Sequence, residues 1–398
     1  MKKIVQLSAS HNRGAIGKIM EQVGVKVKNE LSFESWVIYG RYDCQSELKC
    51  IKMGNTAEVV EHYFENRFLD NEGLASRMMT TKIVGKLKEI SPDIVHLHNI
   101  HDHWINYKIL FDYLNEASIN VVWTFHDCWA YTGGCFHFIA VGCDKWKTEC
   151  GHCPQRNRYW DRSNRNFLLK RKMFLRCKKL HIVTVSQWLK DVTEESFFCG
   201  NDIRVIHNGL DVNVFRPIAN VKNIWNLPKG KFIVLGVATA WTENKGLNDY
   251  KSLAKKLGDR YLIVLVGMTR KQIDSLAKEI FGLPPTRTQE ELSALYNLAD
   301  VVVSMSKAET FGLTIAEGMA CGTPGVVCNN TAQPELITKD TGIVVQTGDI
   351  DGAVTAIEKI CLTGKSLYSE SCRKLALERY DKDECYKKYL RLYEEILA

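Results

Sequence analysis

Two successive blocks of short apolar strands alternating with amphipathic helices run along this 398-residue chain. This alternation constrains the fold more than any other feature. In the first block, Ile4–Leu7, Trp36–Tyr39, Ile94–Leu97, Val121–Thr124, Ile182–Val185 and Val205–Ile206 read as strands. Helical periodicity lies between them, near Ile16–Asn29, Ala75–Ile90, Ile105–Ala117 and Phe167–Cys177. Strands separated by helices return in the same direction, so each block predicts a parallel sheet covered by helices. The second block has strands at Phe232–Val237, Tyr261–Val266, Val301–Ser304, Gly325–Cys328 and Ile343–Val345. Its helices lie near Gly246–Leu257, Gln289–Leu298, Leu313–Cys321 and Gly352–Cys361. A chain this long exceeds what one core usually spans, so two domains follow. The boundary is read after Asn208-Gly209-Leu210-Asp211, giving 1–211 and 212–380. The amphipathic stretch Lys382–Leu397 closes the chain, with Cys385, Tyr389, Leu392 and Ile396 on one face. Two parallel-sheet domains place ligands outside the carboxyl ends of their strands, in a cleft between the domains.

The composition, 45% hydrophobic and 25% charged, is that of a folded globular chain. No apolar run reaches the roughly 20 residues of a membrane span. MKKIVQLSAS reads as a first strand rather than a signal peptide, so a cytoplasmic location is expected. The net charge is +7 and its excess is concentrated: Arg156–Lys179 carries ten lysines and arginines against one acid, Asp161. Such a segment attracts anions, and with no nucleic-acid motif present the expected partner is an anionic membrane surface or a lipid-phosphate acceptor. The alternative is an ordinary solvated helix whose Phe167, Leu168, Phe174 and Leu175 pack on the sheet. The segment from Cys128 to Asp161 breaks the strand–helix rhythm and reads as an irregular insertion. Within it, Cys135, Cys143, Cys150 and Cys153 could hold a structural zinc in a closed tetrahedral site, with His152 as a substitute ligand. Free buried thiols and disulfides are the alternatives.

The chemistry is densest from Ser306 to Val327, SKAETFGLTIAEGMACGTPGVV. Glu309 ends a strand-to-loop crossing, and Thr310-Phe311-Gly312 opens a helix that continues with Leu313. Backbone N–H groups at a helix start hold phosphate through unpaired donors and the helix dipole, and Gly312 lets backbone approach closely. Further along the same helix, the Glu317 carboxylate can accept hydrogen bonds from vicinal hydroxyls. Asp349-Ile-Asp351 and Asp381-Lys-Asp383 spell D-x-D, but both stand at helix starts, where aspartate caps.

This string resembles the donor-site signature of family 4 glycosyltransferases, with its two glutamates eight positions apart. ALYNLADVVVSMS, TAQPELI, VIHNGLD, NKGL, VHLHN and TFHD resemble the same family. HDCWAYTGGCF followed by CDKWKTECGHCP is similar to bacterial transferases of capsule, exopolysaccharide and lipopolysaccharide assembly, including colanic-acid-type enzymes. The resemblance covers nearly the whole chain. It implies an α/β chain of GT-B architecture, with two Rossmann-like domains and a C-terminal helix, 381–398, that returns to the first of them. It also implies retaining sugar transfer from a nucleoside-diphosphate sugar to an oligosaccharide or lipid-linked acceptor, and no catalytic divalent metal. Residue by residue, it gives Lys245 the donor diphosphate, Glu309 and His126 the transferring sugar, and Glu317 the ribose. Thr310, Phe311, Gly312, Leu313 and Asn208 surround the donor, and Gly14 and Gly17 form the loop after the first strand. The family's usual arginine five residues before the lysine is Ala240 here; Arg270 or Lys271 are the candidates to replace it. A nucleotide-sugar 2-epimerase on the same fold, or a binding protein without catalysis, are the alternative readings.

Overall fold

The computed structural model describes residues 1–42, 45–155 and 160–398, and the chain divides into two compact units. The first comprises Met1–Ile206 with Tyr386–Ala398, the second His207–Cys385.

The first unit contains β1 (Lys3–Ser10), α1 (Gly14–Glu30), β2 (Glu34–Arg41), β3 (Lys49–Lys52), α2 (Thr56–Leu69), α3 (Arg77–Ile90), β4 (Ile94–Leu97) and α4 (Tyr107–Glu116). It continues with β5 (Asn120–Phe125), α5 (Ser163–Phe174), β6 (Leu180–Thr184), α6 (Gln187–Glu194) and β7 (Asp202–Val205). Its seven parallel strands lie in the order β3-β2-β1-β4-β5-β6-β7. The chain therefore winds outward from β1 to one edge and returns beside it at β4. That reversal is the topological switch point, where the loops diverge and leave a crevice. Residues such as Val5, Leu7, Val37, Ile94 and Leu97 are fully buried, as strands covered on both faces require. Trp123 sits edge-on to Phe125 and Phe174, with both ring centroids at 4.9 Å.

The second unit contains β8 (Phe232–Val237), α7 (Leu247–Leu257), β9 (Tyr261–Val266), α8 (Arg270–Asp274), β10 (Ile280–Leu283), α9 (Gln289–Leu298) and β11 (Val301–Ser304). Then come α10 (Leu313–Ala320), β12 (Gly325–Cys328), α11 (Gln333–Leu336), β13 (Gly342–Val345), α12 (Ile350–Thr363) and α13 (Ser366–Tyr380). The six parallel strands run β10-β9-β8-β11-β12-β13, so the same reversal recurs between β8 and β11. Asp349 caps α12 by accepting from Gly352 N–H at 2.8 Å, and Asp381 accepts from Asp383 N–H at 2.8 Å where α14 (Lys382–Leu397) begins. The first aspartate of each D-x-D, Asp349 and Asp381, is thus a cap, as the sequence suggests. From Tyr386 onward α14 belongs to the first unit. There its buried Tyr389 and Tyr393 reach Thr124 Oγ1 at 3.0 Å and His96 Nδ1 at 2.6 Å.

The insertion between β5 and α5 departs from its expectation. Among the described residues, no three His, Cys, Asp or Glu side chains come together as metal ligands, so Cys135, Cys143, Cys150 and Cys153 do not build the expected zinc site. Burial pushes the Cys135 thiol up to about 12 and the Cys150 thiol up to about 11, which keeps both protonated. Cys150 Sγ accepts from Gly133 N–H at 3.3 Å instead. Aromatic packing supplies the order: Trp146 is 2% exposed and stacks on Phe138 at 4.4 Å, with Tyr131 at 5.4 Å.

The basic segment is also more divided than its charge suggests. Arg156 and Arg158 lie outside the described residues. Phe167 and Phe174 are fully buried, while Leu168 and Leu175 are exposed. Lys170, expected among the membrane-facing cations, is instead 1% exposed. Its ammonium donates to Trp129 O at 2.6 Å and Thr132 O at 3.1 Å and lies 3.4 Å above the Trp129 ring. A buried charge persists only when its donors are engaged, and this lysine is a structural pin between α5 and the insertion. Arg171, Lys172 and Arg176 remain on the exposed side of the segment.

Candidate active site

In the second unit, adjacent strands β8 and β11 end side by side at the switch point, and the loops leaving them carry the charged groups. The loop after β8 ends in a short 3-10 turn, Glu243–Lys245, followed by Gly246 at φ +75°. A Cβ at Gly246 would lie 2.4 Å from Met305 O, so only glycine lets this turn press against the loop that follows β11. Lys307 N–H donates to Asn244 O at 2.8 Å and Ser306 Oγ to the same oxygen at 3.2 Å, which locks the two loops together. Lys245 and Glu309 consequently meet as an ion pair, Nζ to Oε1 at 2.5 Å. Both side chains remain partly exposed, at 37% and 22%. Glu309 is held from behind: its N–H donates to Thr331 Oγ1 at 2.9 Å and its carbonyl accepts from Ala332 N–H at 3.1 Å.

Gly312, at φ +95°, is the N-cap of α10 and brings no capping side chain. A Cβ there would lie 2.7 Å from Leu336 Cδ1. Thr310 is half-buried and Phe311 buried, while Leu313 begins the helix. Phe311 packs edge-on to Tyr380 at 5.4 Å and beside His207 at 6.0 Å, so the segment containing Asn208 adjoins the α10 start. Glu317 is buried along the same helix and accepts from Tyr296 Oη at 2.8 Å. Tyr296 was not singled out from the sequence, although it stands in ALYNLAD; a tyrosine at a helical spacing reads equally well as core. Arg270, at the start of α8, is 88% exposed in its side chain and pairs with Asp274 at 3.2 Å; Lys271 follows it.

The first unit's switch point gathers neutral histidines beside two buried ion pairs, His11–Glu21 and His101–Asp127. The loop after β1 leads to Gly14, at φ +67°, and to Gly17, where a Cβ would lie 3.1 Å from Asn12 N. Asn12 N–H donates to Gly17 O at 3.1 Å, folding the loop onto the first turn of α1. Three buried histidines stand here, His96 within β4, His98 just after it and His126 just after β5. The His96 and His98 rings lie 4.1 Å apart at a tilt of 36°, and His98 Nδ1 lies 3.1 Å from His126 Nε2. Burial holds His96 down to about 3 and His126 to about 4, and His98 well below the usual imidazole value, so all three are neutral. Beside them the rule reverses: burial opposes charge on both His101 and Asp127, but their 2.9 Å ion pair raises the imidazole and holds the carboxyl down to about 2. Gln6 Oε1 lies 3.1 Å from His98 Nε2, a contact with no signal in the sequence, whereas the alternation of His96 and His98 is visible there.

Residues 30–214 match the family model Glycosyltransferase Family 4, and residues 218–376 match Glycosyl transferases group 1. WcaC of Escherichia coli K12, named for colanic acid biosynthesis, is 23% identical over 315 residues, spanning 74% of this chain and 76% of its own. Sucrose-phosphate synthase from Thermosynechococcus elongatus superposes with a TM-score of 0.75 at 17% identity, over 100% of this chain and 99% of its own. Anabaena HepE, solved with UDP and glucose, superposes with a TM-score of 0.72 at 16% identity, over 99% and 100%. At such identities the two structures speak for the shared fold alone.

Proposed function

Because this chain is a GT-B glycosyltransferase that joins a family 4 domain to a group 1 domain, we propose that it moves a sugar, with retention, from a nucleoside-diphosphate sugar to a glycan or lipid-linked acceptor of bacterial surface polysaccharide. The observation that carries the donor assignment is the Lys245–Glu309 pair at the ends of neighbouring strands, one turn of loop from the glycine-capped start of α10. An ammonium beside a helix N-terminus offsets charge developing on a leaving diphosphate. In this reading Lys245 leaves Glu309 for the diphosphate and Glu309 turns to the transferring sugar. Glu317, already oriented by Tyr296, accepts from ribose hydroxyls. His126 takes the sugar from the first unit, and Gly14 and Gly17 keep the loop after β1 low enough for ligand to pass. Thr310, Gly312 and Leu313 contribute backbone, Phe311 and Asn208 the adjoining wall, and Arg270 or Lys271 a second cation. No divalent metal enters this reading. UDP and glucose in HepE, together with the colanic-acid name of WcaC, support the donor class and the polysaccharide setting. No helix among the described residues is long and apolar enough to cross a membrane; a cytoplasmic location, with docking on the inner membrane face through Arg171, Lys172 and Arg176, completes the proposal.

A thermal-shift panel of nucleoside diphosphates and their sugars tests the donor class. A true donor stabilises the native state by RT ln(1 + [L]/Kd) and stands out from its neighbours, whereas a flat panel contradicts the reading. Consumption of the donor without acceptor would favour the epimerase instead.

A further inference from the structure

Helix α2 in the first unit is turned inside out. A helix on a folded domain ordinarily buries an apolar stripe and exposes a polar one. Here Glu58, His62 and Asn66, at a spacing of four, face the protein, while Val60, Tyr63, Phe64, Phe68 and Leu69 face outward at 41–57% exposure. Hydrogen bonds fix that orientation. His62 Nε2 accepts from Gly73 N–H at 3.0 Å, His62 Nδ1 lies 2.8 Å from Ser76 Oγ, and Asn66 Nδ2 lies 2.9 Å from His103 Nε2. Asn55 caps the first turn by accepting from Glu58 N–H at 2.9 Å. The outward rings are ordered among themselves: Phe64 and Phe68 stack with centroids 5.9 Å apart, and Tyr63 meets Phe64 edge-on at 5.9 Å. An exposed apolar patch of this kind marks an interaction surface.

The charges on this face select its partner. Glu61 and Arg67 are both exposed and stand three positions before and three after Phe64, so the three side chains form one ridge of the helix. The neighbouring acid, Glu65, is engaged by Asn71 Nδ2 at 3.1 Å. An anionic bilayer attracts Arg67 and repels Glu61, and so gains nothing from the pair. A second copy of the same helix, run antiparallel about a twofold axis at Phe64, gains from both. Residues equally far before and after Phe64 then stand level: Val60 with the copy's Phe68, Glu61 with the copy's Arg67, and Phe64 with itself. Such a surface is complementary to its own copy, as a closed twofold contact requires. We propose that the exposed face of α2 is a self-complementary interface through which two copies of this chain pair in solution. A single helix per copy offers less than the about 800 Å² per partner of a standard interface, so the dimer is weak and forms with rising concentration.

Sedimentation velocity of the full-length chain over roughly 1–200 µM reads the pairing directly. The wild type should pass from monomer to dimer within that range, and Phe64→Glu should stay monomeric throughout. Glu61→Arg and Arg67→Glu each set like charges against one another and should weaken the dimer by about tenfold or more, whereas both changes in one chain restore opposite charges and should return it to within about threefold of the wild type. A mixture of the two single variants should pair more tightly than either alone, because every charged contact across the mixed dimer is again between opposite signs. A wild type that stays monomeric at the highest concentration overturns the proposal. So does a dimer that survives Phe64→Glu or ignores the charge reversals. A monomer that instead sediments with lipid vesicles, and loses them in Phe64→Glu, assigns the face to lipid and overturns the proposal equally. If Phe64→Glu does not fold, the reversals at the exposed Glu61 and Arg67 decide. No donor or acceptor enters this test, so its outcome is separate from that of the transfer reading.

Discussion

The two units share a strand order at their centres and differ in what they place there. Each parallel sheet reverses beside its first strand, β1 against β4 and β8 against β11. The second unit's crevice holds a partly exposed ion pair, Lys245–Glu309, beside a helix start. The first unit's crevice holds His96, His98 and His126, buried and neutral. Ten of the eleven histidines, all but His207, lie in the first unit. The contrast teaches that one topology can serve two kinds of recognition. A charged, half-open crevice suits an anion, and a cluster of buried neutral imidazoles suits directional hydrogen bonds to an uncharged group.

The largest effect should come from the part of the first unit that has no counterpart in the second. Trp146→Ala removes the aromatic centre of the insertion and should lower stability by about 3–5 kcal/mol, while treatment with chelator leaves the melting temperature unchanged. A chelator-induced loss of stability would restore the zinc reading that the structure does not support. Lys245→Ala comes next. Transfer should fall by about 10²–10³-fold, the scale of one lost electrostatic partner of a developing charge, with little change in melting temperature because the side chain is half-exposed. A threefold loss or less would remove charge from the account of the second crevice.

An acid titration separates the units by their histidines. Burial depresses His62 and His96 to about 3 and His126 to about 4, and His98 moves in the same direction. Their stabilisation is complete above the unfolded value near 6.5 and is lost as pH falls below it, by at most about 1.4 kcal/mol per pH unit for each. His11 runs the other way: burial works against its charge, but Cys50 and Glu21 raise it to about 9. Its contribution is complete below about 6.5 and disappears as pH rises through 9. Fluorescence and hydrogen exchange should therefore show the first unit opening before the second between pH 6 and 4. Simultaneous opening, or the second unit first, would contradict the comparison. The smallest effect is expected at the membrane. Neutralising Arg171, Lys172 and Arg176 together should weaken co-sedimentation with anionic vesicles by about 1 kcal/mol per cation at low salt, whereas vesicle binding that ignores lipid charge would make this face an ordinary solvated surface.

What the sequence revealed follows the same division. The apolar strands of both sheets were legible because burial on both faces leaves runs such as Tyr261–Val266 without polar interruption. The charged crevice was legible because the string holding Glu309, Gly312 and Glu317, and the NKGL holding Lys245, resemble the donor-site motifs of family 4 glycosyltransferases. Strand β3, KCIK, escaped because it is a short exposed edge. Helix α2 escaped because its pattern is inverted: Glu58, His62 and Asn66 are buried, while Tyr63, Phe64 and Phe68 are exposed. Lys170 misled because a cation pinned by two carbonyls and an indole looks, in sequence, like its solvated neighbours. The contacts that join Gln6, His98 and His126 run between residues up to 92 positions apart, which no local spacing records.

The donor assignment is tested most directly by calorimetric titration of nucleoside diphosphates into the wild-type chain and into Glu317→Ala. Hydrogen bonds to a charged group contribute about 1.5–3 kcal/mol, so the best-binding diphosphate should lose roughly 10–100-fold in affinity when this carboxylate is removed. Tyr296→Phe, which leaves the carboxylate in place without its buried tyrosine partner, should give a smaller loss. Unchanged affinity in Glu317→Ala, with the variant folded, would place the nucleotide elsewhere and contradict the assignment.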